Sequence, residues 1–238
     1  MKQIITIIAV LAIVATTQAA DKGKHLFILS GQSNMAGLNP QISFIPAVEK
    51  EFGKENVTVV KNAKGGRPIR DWYKDYTYPG GKMPKKGRKG KGSFGSLYDA
   101  LMKDVNKAVT GNTYNTVTFV WMQGERDAKE LLADVYAQSF NGILAQLKTD
   151  LKLTSINFVI GRLSDFDMQD KKYPHWTKVR DVQVTLAEDD PNGEWVDTDD
   201  LNNKGNDGEI NDLHYTREGY KILGQRFAEK AIALIKKH

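Results

Sequence analysis

Five short runs of β-branched and aromatic residues recur along the chain, each followed by a longer stretch of helical periodicity, and this alternation leaves few folds open. The runs are 25–30 (HLFILS), 57–61 (VTVVK), 116–122 (TVTFVWM), 156–163 (INFVIGRL) and 195–197 (WVD). Strands joined through helices lie parallel, because a crossover must carry the chain back to the end where it started. Their near-continuous apolar character predicts strands buried on both faces. The expected fold is therefore α/β, a three-layer α/β/α sandwich around a five-stranded, mostly parallel sheet.

The intervening patterns predict helices over 96–109, 127–151, 174–188 and 216–237, with a short one over 45–52. In the first, Leu97, Leu101, Val105 and Ala108 share a face, and Ser96 with Asp99 reads as a capping box of acidic type. In the last, Tyr220, Leu223, Phe227, Ala231 and Leu234 keep helical spacing. The 238 residues suit one domain with a full core, and no repeat or linker divides them. The segment 65–95 is the longest without a periodic pattern, and such regions commonly carry functional surface.

At the N-terminus, Lys2 precedes an apolar run over 4–15 and then small and polar residues, the pattern of a secretory signal peptide cleaved after Ala19. The run is shorter than the ~20 residues of a spanning helix. The expectation is a signal peptide over 1–19, a domain over 20–238, and export to the periplasm or the medium with no membrane attachment after cleavage. The absence of cysteine excludes disulfides, thiolate metal sites and cysteine nucleophiles. Net charge is only +5, and much of the excess lies in 82–91 (KMPKKGRKGK). That stretch is either a plain surface excursion or a contact for an anionic polysaccharide. Nucleic acid is not expected, because the loop lacks interleaved aromatic residues.

Four motifs that could carry chemistry follow predicted strands. Ser33 lies in SGQSNMAG after the first, at the carboxyl strand end where open α/β sheets bind ligands. Gly65-Gly66-Arg67 follows the second, where adjacent glycines let backbone N–H groups approach a ligand or merely make a turn. Gln123-Gly124-Glu125 follows the third; the amide of Gln123 can donate to an oxyanion or satisfy loop backbone, and Glu125 can serve a sugar hydroxyl or pair with Arg126 or Arg162. His214 lies beside Asp212 ahead of the last helix, as a general base held in one tautomer would. Among the other histidines, His238 is terminal, His25 opens a strand and His175 is the rival.

Together, SGQSNMAG and WMQGE resemble the SGNH hydrolases of the sialate O-acetylesterase and acetylxylan esterase branch, over 26–234. The resemblance implies a flavodoxin-like fold and a serine esterase that removes O-acetyl groups from a carbohydrate such as sialic acid or xylan. It implies Ser33 as nucleophile, His214 as base, and the Ser33 and Gly66 amides with the Gln123 side chain as oxyanion donors, Gly65 being the alternative to Gly66. Gln32, Asn34, Glu125 and Arg67 are the expected substrate contacts. Neither a metal nor an organic cofactor is required. One position departs from the family: Asn211 stands where an aspartate is usual, so Asp212, Asn211 itself, Asp207 or Asp199 orients the imidazole, with Asp212 favoured. Tyr73, Trp72, Tyr76, Tyr78 and Trp176 are placed to stack on sugars or to fill core. Two other functions stay open: a carbohydrate-binding protein with an impaired triad, and an acyltransferase or lipid esterase on the same fold.

Overall fold

The computed structural model describes residues 23–80, 94–202 and 213–237. The signal segment 1–19, the basic loop 82–91 and the residues Asp207, Asn211, Asp212 and His238 lie outside the described residues.

Five strands form one sheet: β1 (His25–Gly31), β2 (Val57–Ala63), β3 (Thr116–Met122), β4 (Asn157–Gly161) and β5 (Gly193–Val196). Their order is β2-β1-β3-β4-β5, and every pairing is parallel. The helices are α1 (Ser33–Gly37), α2 (Phe44–Phe52), α3 (Ser96–Val109), α4 (Glu125–Lys129), α5 (Tyr136–Asp150), α6 (Trp176–Glu188) and α7 (Arg217–Lys237). The α2 and α7 helices pack on each other, while α5 packs on α6. The chain steps outward from β1 to β2 and then crosses back to β3, so the strand order reverses beside β1. In open sheets of this order the crevice beyond the carboxyl ends at that reversal is the binding place.

The expected sandwich is present, with corrections that have physical causes. Both-face burial holds for β1, β3 and β4, but β2 and β5 are edge strands and are largely half-buried. The helix expected over 127–151 is broken into α4, a 3-10 turn at Ala133–Val135 and α5, because Leu131 takes a left-handed φ of 61° between them. The capping box does not form. Gly95 is the N-cap of α3 at φ 77°, and Asp99 instead pairs with Lys74 Nζ at 2.8 Å.

The core runs from the sheet into both helical layers. From α7 it takes Leu223, Phe227 and Leu234, each fully buried and each worth about 1.5–3 kcal/mol. Three of the aromatic residues considered for sugar stacking belong to this core. Trp72 and Trp176 are buried with their indole N–H groups donated to Ser30 Oγ and the Ser164 carbonyl, and Tyr76 is buried as well, with its ring edge-on to Phe94. Only Tyr73 and Tyr78 keep partial exposure.

Candidate active site

The turn after β1 is shaped by a close approach of two strands. Gly31 has φ 143°, and a Cβ there would lie 2.0 Å from the Met122 carbonyl oxygen, so only glycine fits. That same carbonyl accepts from Gln32 N at 2.8 Å, locking the end of β1 to the end of β3. Ser33 then opens α1 half-buried, and as its first residue has no carbonyl one turn earlier for its N–H to bond. The glycine turn after β2 lies against it. A Cβ on Gly65 would be 3.7 Å from Ser33 Cβ, while Gly66, at φ 68°, is exposed with nothing within 4 Å of where its Cβ would be.

The turn after β3 is knitted inward. Gln123 has no exposed surface; its Nε2 donates to Asp127 Oδ2 at 2.5 Å, the Arg67 carbonyl at 3.1 Å and Gln32 Oε1 at 3.2 Å. Two hydrogens thus face three acceptors, and one of these must be released before Gln123 can serve an oxyanion. Gln32 Oε1 also accepts from Arg126 N at 3.2 Å. Asp127 Oδ2 accepts from Ile69 N at 2.8 Å, which joins the glycine turn to α4.

His214 is exposed and is delivered by tethered neighbours. Tyr215 forms an antiparallel bridge with Asn202, and Thr216 N donates to the Leu201 carbonyl at 3.1 Å. On the other side, Asn34 Nδ2 donates to the Leu213 carbonyl at 3.0 Å. The residue after Ser33 is therefore bonded to the residue before His214, across 179 positions of sequence.

Of the expected substrate contacts, Gln32, Asn34 and Glu125 are nearly without surface, at 3%, 2% and 2% exposed, and bond to protein. Asn34 Nδ2 donates to Glu125 Oε1 at 3.0 Å, so Glu125 pairs with neither Arg126 nor Arg162. Arg67 alone has surface to offer, and its Nε lies 2.6 Å from Asp71 Oδ2. Among the carboxylates considered for His214, Asp199 is committed elsewhere, to Arg162 at 2.9 Å and Arg180 at 2.7 Å. The rival His175 caps a loop, accepting from Ala133 N through Nδ1 at 3.3 Å.

Burial pushes two carboxyls here up to about 7. For Glu125 the nearby N–H groups and the Asn34 amide offset desolvation only in part. For Asp127 the same holds of the Gln123 amide, the Ile69 N–H and the Arg70 guanidinium.

Several supporting residues escaped the sequence analysis. Gln183 of α6 donates to the Gln123 carbonyl at 2.7 Å, and the Tyr136 hydroxyl donates to that carbonyl at 2.7 Å as well. Gln183 had a signal: it falls on the stripe of Trp176, Val179 and Ala187, where a polar residue must be buried and paired. Asp127 had one also, as a second acid two positions after Glu125 in a turn that follows a buried strand.

The geometry agrees with what comparison with known proteins finds. The family model for carbohydrate esterases described as sialic acid-specific acetylesterases matches residues 36–233, beginning just beyond Ser33. The fold is similar to that of a protein from Arabidopsis thaliana at TM-score 0.64 and 21% identity, covering 89% of this chain and 98% of that one. It is similar to a carbohydrate acetylesterase from Xanthomonas citri at TM-score 0.63 and 16% identity, covering 90% of this chain and 57% of that one. It is similar also to NanS, at TM-score 0.59 and 14% identity, over 90% of this chain and 98% of that one. No curated protein sequence matches. With the family model spanning most of its length, the chain belongs to the sialic acid-specific acetylesterase family of carbohydrate esterases, and it is an esterase.

Proposed function

We propose that the protein is an exported serine esterase that removes O-acetyl groups from a carbohydrate, sialic acid or an acetylated polysaccharide, with Ser33 as nucleophile and His214 as base. The observation that carries this reading is the hydrogen bond from Asn34 to the Leu213 carbonyl, which couples the two catalytic candidates through their immediate neighbours. His214 takes the proton of Ser33 as Oγ attacks the acetyl carbon. The C–O bond to the sugar then breaks, the imidazolium returns its proton to the leaving alcohol, and water activated by the same imidazole releases acetate.

The Ser33 and Gly66 N–H groups hold the developing oxyanion, joined by Gln123 once its amide lets go of an internal acceptor. Each such donor is worth about 2.7–4 kcal/mol of barrier. Asp212 orients His214, since Asp199 is already held by two arginines. Arg67, with Tyr73 and Tyr78, meets the sugar. Export follows from the signal pattern of 1–19; no helix among the described residues is long and apolar enough to cross a membrane.

The test is hydrolysis of p-nitrophenyl acetate and acetate release from O-acetylated sialic acids and xylans. Ser33→Ala and His214→Ala should each abolish turnover, and a fluorophosphonate should label the wild type but not Ser33→Ala. Labelling that survives Ser33→Ala would remove Ser33 from the reaction.

A further inference from the structure

We infer that Glu125, acting through Asn34, is a positioning residue for His214, setting the plane of the peptide that carries the base. The inference rests on the reading of His214 as the base. The Asn34 side chain is buried and fully engaged: Nδ2 donates to Glu125 Oε1 and to the Leu213 carbonyl, both at 3.0 Å, and Oδ1 accepts from the Tyr220 hydroxyl at 3.1 Å. The Leu213 carbonyl and the His214 N–H belong to one planar peptide unit, so a donor on the first fixes the second.

An amide has two ends of nearly equal shape, and only its partners decide which way it faces. Turned over, Asn34 would point its own oxygen at the Leu213 carbonyl and push the loop away. Glu125 Oε1, whether the carboxyl is ionised or carries its proton on the unpartnered Oε2, accepts and does not donate, and so prevents that inversion. It forces the NH2 end toward Leu213 and leaves Oδ1 for Tyr220. Space for this is reserved, since a Cβ on Gly37 would come within 2.6 Å of the Tyr220 ring.

Nothing else about Glu125 accounts for its burial. It has almost no surface for a sugar, makes no ion pair among the described residues, and its Oε2 has no hydrogen-bond partner among them. A carboxyl buried on those terms is costly. What it does achieve is to lock one amide that ties the nucleophile turn to the base loop.

The experiment combines kinetics on p-nitrophenyl acetate with NMR of protein labelled with 15N-histidine. The sequence has four histidines, so the His214 imidazole is assigned with His214→Gln. Glu125→Ala should lower kcat by about 30- to 100-fold, the loss expected of a base misplaced by about 1 Å, with KM within about twofold. Its His214 signals should move. Glu125→Gln, which keeps the acceptor, should recover most of the rate and the wild-type His214 signals. Asn34→Asp, which sets an acceptor against the Leu213 carbonyl, should lose at least as much as Glu125→Ala.

Wild-type kcat and wild-type His214 signals in Glu125→Ala would overturn the inference, as would a Glu125→Gln protein no better than Glu125→Ala. If Glu125→Ala does not fold, Glu125→Met decides: it fills the same buried space without the acceptor, and unmoved His214 signals would overturn the inference. Should the wild type hydrolyse nothing, the catalytic reading falls, and the His214 signals alone still judge whether Glu125 orders that loop.

Discussion

Replacing Glu125 by glutamine should change how the stability of this protein depends on pH. Burial raises the Glu125 carboxyl from its ordinary 4.5 to about 7, so the folded state holds that proton more tightly than the unfolded chain does. The resulting stabilisation is fully present below about pH 4.5, fades as pH rises, and is lost above about 7, where the fold must bury a charge. At about 1.4 kcal/mol per pH unit between the two values, the loss is on the order of 3 kcal/mol. Glutamine cannot titrate, so Glu125→Gln should escape this part of the loss. The difference between variant and wild type should therefore move in the variant's favour by on the order of 3 kcal/mol between pH 4 and pH 8. In a protein of this size that corresponds to about 6–12 °C in Tm. The assay is urea unfolding followed by tryptophan fluorescence at a series of pH values, reading the trend and not the offset, because the new NH2 group carries its own burial cost at every pH. Asp127→Asn should behave alike, its carboxyl also being raised to about 7 by burial. The double variant should gain less than the two together, since each negative charge raises its neighbour. Differences that stay constant across pH would refute the argument, for they would mean that these carboxyls ionise as if in water.

The remaining predictions concern the backbone and the ion pairs. Gly31→Ala should cost about 3 kcal/mol or more, because its Cβ would meet the Met122 carbonyl at 2.0 Å. Gly66→Ala meets no atom within 4 Å and bears only the left-handed backbone penalty, about 1–2 kcal/mol; urea unfolding giving equal losses at the two glycines would contradict both accounts. Asp199→Ala leaves the buried Arg180 guanidinium without its carboxylate and should cost about 3 kcal/mol. Adding Arg180→Met should restore part of that loss, and a double variant weaker than Asp199→Ala would show that the pair is not what the aspartate serves.

The elements that sequence reads best are those whose burial is uniform. The β3 strand at Thr116–Met122 and the α3 helix at Ser96–Val109 match expectation to the residue, because an all-apolar run and a clean helical stripe each have one solution. The break at Leu131 had no such signal, since leucine at φ 61° is held by its surroundings and is not encoded by a glycine or asparagine. The edge position of β2 and β5 follows from strand order, which periodicity does not carry.

In the site, the strand-end rule set three of the motifs directly beyond β1, β2 and β3, where the structure has them, but it could not say which polar side chains turn inward. Gln32, Asn34 and Glu125 look like ligands for a sugar when read singly. Their true partners lie 91 or more positions away, at Gln123, Glu125 and Leu213, and only the folded chain brings those acceptors and donors to them.

The contact of Gly31 with the Met122 carbonyl has a mechanical consequence. It welds the serine turn and the Gln123 turn into one piece with the sheet, whereas among the described residues the histidine segment is tied to that piece through the Asn34 side chain, and to Leu201 and Asn202 by one backbone hydrogen bond and one short bridge. Warming reaches the weaker fastening first. With His214 as the proposed base, the working lifetime of the esterase is then set by how long that residue stays seated, and a protein that has stopped turning over can still possess every strand it was built with.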